Sequence, residues 1–339
     1  MKSPIKSDES VTLFTSTAWP SRTMPGAWDL EIRGVIFEEE SRPLLAAGIT
    51  LALNLKTENL TELERGILKE RLRLFLVDNE RGKALPVRIG TEEHALSPSG
   101  ANGHFSGMIT LSGEAVEAAL QHGRIPLRAV TRPGDERKFT GCLCVLPDGP
   151  EPLVISDIDD TIKITSVRNF EEAKMNTFCR PFLPVEGMAA VYQAWSETGA
   201  GFCYVTGSPW QLYRPLEAFR EAFGFPAGGW QMKHLRLADP ETIRAFAAPQ
   251  TTFKLQSIEL LLERWTQRPV VLVGDSGEQD PEIYGTIARK HPGRVSRIFI
   301  REVSGDIRES QRYSKAFEGV EGMKWQLFHT GADLPRSLD

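Results

Sequence analysis

The 339-residue sequence has few cysteines, no long apolar run and no excess of positive charge. Its four cysteines are Cys142, Cys144, Cys179 and Cys203. Cys142 and Cys144 form a C-x-C pair whose side chains share one face of an expected strand. No second Cys/His cluster accompanies them, so a zinc site is not implied. They read as core cysteines of a protein in a reducing compartment. No stretch is long enough to span a bilayer. The polar start, MKSPIKSDES, lacks the apolar core of a signal peptide. A cytoplasmic protein is expected, with peripheral contact at a membrane left open. Formal net charge is −5 and no basic patch stands out, so nucleic acid is not an expected partner. Net charge would not draw the chain to an anionic membrane, although a local patch could. No internal repeat is visible.

What is present is ordinary for a globular protein: 41% hydrophobic and 25% charged residues. The length suggests two domains. The first half reads as β-rich. In WDLEIRGVIF, Trp28, Leu30 and Ile32 alternate onto one face. LRLFLVDNERGKALPVRI reads as a hairpin, with Leu72, Leu74 and Leu76 on one arm and Leu85, Val87 and Ile89 on the other. IPLRAV and GCLCVL suggest two more strands. One helix is expected over about 61–71, opened by a Thr61/Glu64 capping box, with Leu60, Leu63 and Ile67 on one face. A β-sandwich carrying one decorating helix fits residues 1–148.

LPDGPEP, residues 146–152, is dense in proline and glycine and reads as a linker. From 149 to 339 the pattern changes. Short apolar runs at 153–155, 201–205, 270–273 and 296–300 alternate with helical stretches at 188–198, 211–223, 254–266 and 281–290. Strands buried on both faces between helices argue for a parallel, doubly wound α/β sheet. In such sheets, sites form at the carboxyl ends of the strands.

The acidic cluster of VISDIDDTIKIT stands at such an end. Asp157 and Asp159 flank Ile158, and in extended chain both point the same way. Two carboxylates so placed repel unless a cation sits between them. Hard oxygen ligands of this kind suit Mg2+. VVLVGDSGEQDPEIY repeats the pattern, with Asp275 closing an apolar run and Asp280 opening a helix. GFCYVTGSPWQLY ends a third run in Thr206, Gly207 and Ser208, where a hydroxyl beside helix N–H groups makes an anion cradle. Lys254, at a helix start, can neutralise a phosphate or a carboxylate.

Asp157-Ile158-Asp159-Asp160-Thr161, followed in order by Thr206, Lys254 and Asp275 with Asp280, resembles the four motifs of the haloacid dehalogenase superfamily of phosphatases. The stretches DIDDTIKIT, PVEGMAAVYQAW, YVTGSPWQLY and LVGDSGEQDPEIY resemble, more narrowly, the phosphatidate phosphatases of the actin-patch protein type. The likeness covers roughly residues 153–301. It implies a haloacid dehalogenase-like Rossmannoid sheet behind a β-rich accessory domain. It implies a Mg2+-dependent phosphatase releasing phosphate and diacylglycerol from phosphatidate or a related lipid phosphate. Asp157 would be the nucleophile, giving an aspartyl phosphate, and Asp159 the general acid and base. Thr206, Gly207, Ser208 and Lys254 would bind the phosphoryl group. Asp157, the Asp159 carbonyl, Asp275 and Asp280 would serve the metal. Eukaryotic members carry long tails that engage actin-patch partners. This chain ends in GADLPRSLD soon after its last expected element, so no actin-patch partner is expected.

Each residue also has a plainer reading. Asp160 suits a turn cap, and Ser208 a helix N-cap. Lys254 alone is one lysine among many. His234 and Arg236 in MKHLRL could reach a headgroup, but an ordinary strand is favoured. Phe178, Phe182 and Leu183 could form a lip that grips acyl chains, but core packing is favoured. Gly274 and Gly277 would permit tight backbone beside the metal. The stretches 161–206 and 208–254 leave no room for a large cap domain, so an open site is expected. Two other functions remain in play: a phosphatase of another soluble or macromolecular phosphomonoester, and a phosphatidate-binding module without turnover. A receiver-type phosphoacceptor does not fit, because its acidic pair precedes its phosphorylated aspartate.

Overall fold

A computed structural model of the chain describes residues 4–40, 43–234, 251–303, 305 and 310–338. The chain divides into two compact units. The first comprises residues 1–46, 73–148 and 228–230, the second residues 47–72, 149–227 and 231–339.

In the first unit, β1 (Glu9–Leu13), β2 (Ser16–Pro20), β3 (Ala27–Glu39), β4 (Val77–Asn79), β5 (Val87–Ile89), β6 (Glu92–His94), β7 (His104–Ser112), β8 (Arg124–Ala129) and β9 (Thr140–Val145) build one hydrogen-bonded sheet. The 13-residue β3 organises it. Along one edge β3 pairs with β2 and then β1; along the other it pairs with β7 and then β4. Its alternation buries Leu30 and Ile32, which join Ala18, Val87, Ile125 and Leu143 in a shared core. In the β8–β9 pair, Ile125 stands opposite Leu143.

The hairpin expected over residues 72–89 does not form. Leu72 lies in a helix instead. Helix α1 (Pro43–Ala52) is followed by α2 (Glu62–Arg73), and α2 buries Leu68, Arg71 and Leu72, a spacing of one helical turn. Phe75 and Leu76, adjacent in sequence, are both buried, so no period of two survives there. β4 pairs with β3, and β5 with β6 and β8. The capping box that opens α2 is present: the Thr61 N–H donates to Glu64 Oε2 over 2.9 Å, and the Glu64 N–H to Thr61 Oγ1 over 3.2 Å. The buried stripe differs from the expected one, since Leu63 is 64% exposed. Nor does α2 decorate the β-rich region: residues 47–72 group with the second unit. Helix α3 (Gly113–Ala119) belongs to the first unit.

The second unit holds a six-stranded sheet in the order β12-β11-β10-β13-β14-β15. Its strands are β10 (Leu153–Ser156), β11 (Gly201–Pro209), β12 (Gly229–Lys233), β13 (Val270–Asp275), β14 (Val295–Arg301) and β15 (Trp325–Phe328). β10 pairs in parallel with β11 and β13, and β13–β14–β15 continue in parallel. The chain moves outward from β10 to β12, then returns to β13 and moves out the other way. That reversal is the switch point at which open α/β sheets form clefts. The connecting helices are α4 (Phe170–Lys174), α5 (Met188–Glu197), α6 (Tyr213–Ala222), α7 (Thr251–Arg264), α8 (Asp280–Lys290) and α9 (Gln311–Ala316). Every residue of β10 and β13 is buried, which explains their unbroken apolar runs. No helix among the described residues is long and apolar enough to cross a membrane.

The core of the first unit is expected to be sensitive to lost volume. Leu143→Ala removes a fully buried side chain and should cost about 2–5 kcal/mol. Urea denaturation followed by fluorescence checks this; a loss below 1 kcal/mol would mean that the site collapses around the gap.

Candidate active site

β10 ends one residue before Asp157, whose N–H donates to Val273 O of the neighbouring β13 over 2.9 Å. The backbone then turns sharply. Asp160 adopts φ 56°, a left-handed conformation that aspartate tolerates better than most residues. Its carboxylate accepts the N–H groups of Thr165, Ser166 and Val167 at 2.6–2.8 Å. Asp160 therefore caps the loop, as its plainer reading held. Thr161 Oγ1 donates to Asp157 Oδ2 over 3.2 Å.

The carboxylates of Asp157 and Asp159 have separate partners. Asp159 Oδ1 meets Lys163 Nζ and Thr165 Oγ1, each at 2.7 Å. Its Oδ2 accepts from Thr206 Oγ1 at 3.2 Å and Ser208 Oγ at 2.9 Å. The buried trio that could hold an ion is Asp157, Asp275 and Asp280, and the Asp159 carboxylate is not among its three. Ser208 is not a helix N-cap either. β11 runs on through Pro209, a short helical turn follows at Trp210–Leu212, and α6 begins only at Tyr213. The Ser208 N–H donates to Thr206 Oγ1 over 3.0 Å, which turns both hydroxyls toward Asp159.

Asp275 ends β13 and Asp280 begins α8. The Asp275 N–H donates to Asp280 Oδ2 over 3.2 Å. Asp275 Oδ1 accepts from Gly277 N at 2.6 Å and Glu278 N at 3.1 Å. Glycine is required at 274, where a Cβ would lie 2.3 Å from Asp280 Oδ2. At Gly277 a Cβ would lie 2.7 Å from Val167 Cγ2. Lys254, in the first turn of α7, reaches Asp157 Oδ1 at 3.0 Å, Asp280 Oδ1 at 2.6 Å and Glu278 Oε2 at 3.0 Å.

Asp157, Asp275 and Asp280 are all buried, and one carboxylate oxygen from each lies within 4.8 Å of the others. Lys254 supplies one positive charge against these three carboxylates. Burial pushes the Asp157 carboxyl well above the ordinary range; Lys254 opposes this, and Asp280 and Glu278 add to it. Burial, then Asp280 and Asp157, push Asp275 up likewise. Asp275 Oδ2 is buried and makes no hydrogen bond among the described residues. An unsatisfied buried oxygen in an all-carboxylate cluster fits a hard divalent cation, which would supply both the missing contact and the missing charge. Asp159 behaves oppositely. Burial alone would raise its pKa, but the Lys163 ammonium and the hydroxyls of Thr165 and Ser208 bring it down to about 2.

A cavity of about 370 Å³ is lined by Asp159, Thr165, Gly207, Ser208, Lys254 and Glu278, and also by apolar side chains. Phe178 lines it. Phe182 instead packs edge-on against Phe219, with the Arg71 guanidinium 3.8 Å above its ring centre. Leu183 is exposed. His234 is an exposed residue just after β12; Arg236 and the rest of 235–250, on which part of the cap-domain expectation falls, lie outside the described residues. Sequence reasoning missed Lys163, Thr165 and Glu278. Lys163 stands four residues after Asp159, a visible pairing distance. Nothing in the sequence shows that Glu278, five residues before Ile283, shares Lys254 with Asp157.

Residues 152–302 match the family described as the catalytic domain of Phosphatidate phosphatase APP1. The chain is 33% identical over 152 residues to Phosphatidate phosphatase APP1 of Saccharomyces cerevisiae, covering 44% of this chain and 25% of that protein. It is 32% identical over 157 residues to an uncharacterized protein of Schizosaccharomyces pombe, covering 45% and 25%. The matched part thus spans about a quarter of each relative's length. A chain in the solved structure of the Pnkp1/Rnl/Hen1 complex is 15% identical, with a TM-score of 0.31 over 52% of this chain and 56% of that one.

The electrostatics make a prediction for Lys254→Met. The variant leaves buried carboxylates without their ammonium, which should cost about 3–5 kcal/mol near neutral pH. A carboxyl whose pKa is raised on folding binds its proton more tightly in the folded state, so its stabilising share falls as pH rises above the unfolded value of about 4. The variant's deficit should therefore be larger at pH 8 than at pH 5. Thermal unfolding at the two values checks this; an equal deficit at both would exclude uncompensated charge as its source.

Proposed function

Residues 152–302 belong to the APP1-type phosphatidate phosphatase catalytic-domain family, and on that premise we propose that the chain is a Mg2+-dependent phosphatase releasing phosphate and diacylglycerol from phosphatidate. The observation that carries the proposal is convergence. Lys254 contacts Asp157 and Asp280, Asp280 holds Asp275, and Thr206 and Ser208 hold Asp159, all around the carboxyl ends of β10, β11 and β13. The strand order on either side of β10 is consistent with a haloacid dehalogenase-like Rossmannoid sheet.

On this reading, an Asp157 carboxylate oxygen forms a bond to phosphorus while the bond from phosphorus to the ester oxygen breaks. Asp159 delivers a proton to that leaving oxygen. It then accepts a proton from the water that attacks the aspartyl phosphate, which returns Asp157 and frees phosphate. With a pKa of about 2, Asp159 is ionised at neutral pH, the form the base step requires, although its basicity is low. The acid step needs the pKa raised, and a dianionic phosphate brought beside Thr206, Gly207 and Ser208 does this by like-charge repulsion. Thr206 and Ser208 can turn their hydroxyls from Asp159 to the phosphoryl oxygens. Lys254, shared with Glu278, can transfer one contact to the same anion. Lys163, buried, keeps Asp159 in place throughout. Mg2+ held by Asp157, Asp275 and Asp280, with the Asp159 carbonyl as a further ligand, would offset the charge of the transferring phosphoryl group.

The expected contact with a lipid surface is peripheral, and the β-rich accessory domain of residues 1–148 is the part proposed to dock on membrane or substrate. Asp157→Asn is expected to lower Mg2+-dependent phosphate release from phosphatidate in mixed micelles by at least about 10³-fold, and Asp159→Asn by about 10²–10⁴-fold. A chelator should abolish activity and Mg2+ restore it. Full activity in Asp157→Asn would overturn the proposal. Hydrolysis of soluble esters alone would remove the lipid, and vesicle binding without any turnover would favour a binding module.

A further inference from the structure

The cavity that contains Asp159, Ser208 and Lys254 is larger and more apolar than a phosphate requires. Leu53, Val167, Phe170, Phe178, Leu212 and Ile283 line it as well. They come from six places: the turn after α1, the loop capped by Asp160, the start of α4, the helical turn at Met175–Cys179, the turn after β11, and α8. Leu53, Phe178, Leu212 and Ile283 are buried, which makes the wall firm. Phe170, by contrast, is 56% exposed. The Lys174 ammonium lies 4.8 Å from the Phe170 ring centre and 2.8 Å from Glu171 Oε1, so both the ring and the charge on this wall are held. At about 370 Å³ the space is within the range of pockets that enclose a small organic ligand.

We propose that this wall is a hydrocarbon subsite: it takes the start of the substrate's hydrocarbon part, beyond the glycerol carbons that carry the phosphate, into the protein next to the phosphate anchored at Ser208 and Lys254. The inference rests on the phosphatase reading and adds where the apolar part of the substrate goes. Its occupant is argued from continuity, since one cavity joins the polar anchors to the apolar side chains. A substrate carrying only a polar group beyond its phosphate would leave those side chains against water. A phosphomonoester with a hydrocarbon tail buries them, and each methylene taken from water adds a fixed increment of affinity.

Alkylphosphonates of two, four, six and eight carbons share the dianionic head and cannot be hydrolysed. Their binding to the full chain in Mg2+ buffer is measured by titration calorimetry below their aggregation concentrations. Affinity should rise about threefold to fourfold per methylene and level off when the cavity is filled. Phe170→Ser, at a position exposed enough to be tolerated, should flatten the rise, and Phe170→Leu should retain it. Ala173→Phe, which fills the cavity from α4, should bring the plateau to a shorter chain. Affinity independent of chain length, no binding at any length, or a rise that neither Phe170→Ser nor Ala173→Phe alters would overturn the inference. Phosphate release from short-chain phosphatidates, measured in parallel, reports on the hydrolytic reading by itself, so the two fail separately.

Discussion

Three buried carboxylates gather beside one ammonium, which touches two of them. Asp157, Asp275 and Asp280 would not stay together in a low-dielectric interior without compensation, and the surrounding structure is arranged around that problem. β10 and β13 lie side by side in parallel, so their carboxyl ends bring Asp157 and Asp275 to one place. Gly274 has no Cβ, which lets Asp280 close over the end of β13 and accept the Asp275 N–H. Asp280 also sits at the N-terminus of α8, where the helix dipole favours negative charge. Tyr284, one turn further on, donates to Val273 O over 3.0 Å and fixes α8 against the strand. Lys254 enters from α7 to meet two of the three carboxylates.

Two aspartates separated by one residue end up in opposite electrostatic settings. Asp157 is driven up by burial among like charges. Asp159 is driven down by Lys163 and by hydroxyl donors. Divergent environments of this kind divide acid–base roles between neighbouring carboxyls. The difference lies in the partners: Lys254 reaches Asp157, whereas Lys163, Thr165 and the hydroxyl pair of β11 hold Asp159.

Much of this was legible in the sequence because buried parallel strands read as short apolar runs. The runs at 153–155, 201–205, 270–273 and 296–300 became β10, β11, β13 and β14. The helix expected at 281–290 became α8, beginning at Asp280, because an acid and a proline suit a first turn. What failed depended on geometry the sequence does not carry. Leu72, Leu74 and Leu76 alternate, yet the turn-by-turn burial of Leu68 and Leu72 in α2 prevailed. Ser208-Pro209 has the residue types of a helix start, but β11 continued through it and left the hydroxyl for Asp159. The left-handed backbone at Asp160 could not be read from the sequence. Glu278 and Lys163 are ordinary charges in sequence and become site residues only through partners that folding brings to them.

On the proposed reading a divalent cation completes the carboxylate trio, with Asp275 Oδ2 among its ligands. The most direct test is thermal unfolding of the wild type and Asp275→Asn with and without Mg2+. A ligand that binds only the folded state raises stability by RT ln(1 + [L]/Kd), about 2.7 kcal/mol at a hundredfold excess over Kd. The wild type should gain several degrees in millimolar Mg2+, and Asp275→Asn should gain little. An unfolding temperature in the wild type that does not respond to Mg2+ would contradict the account.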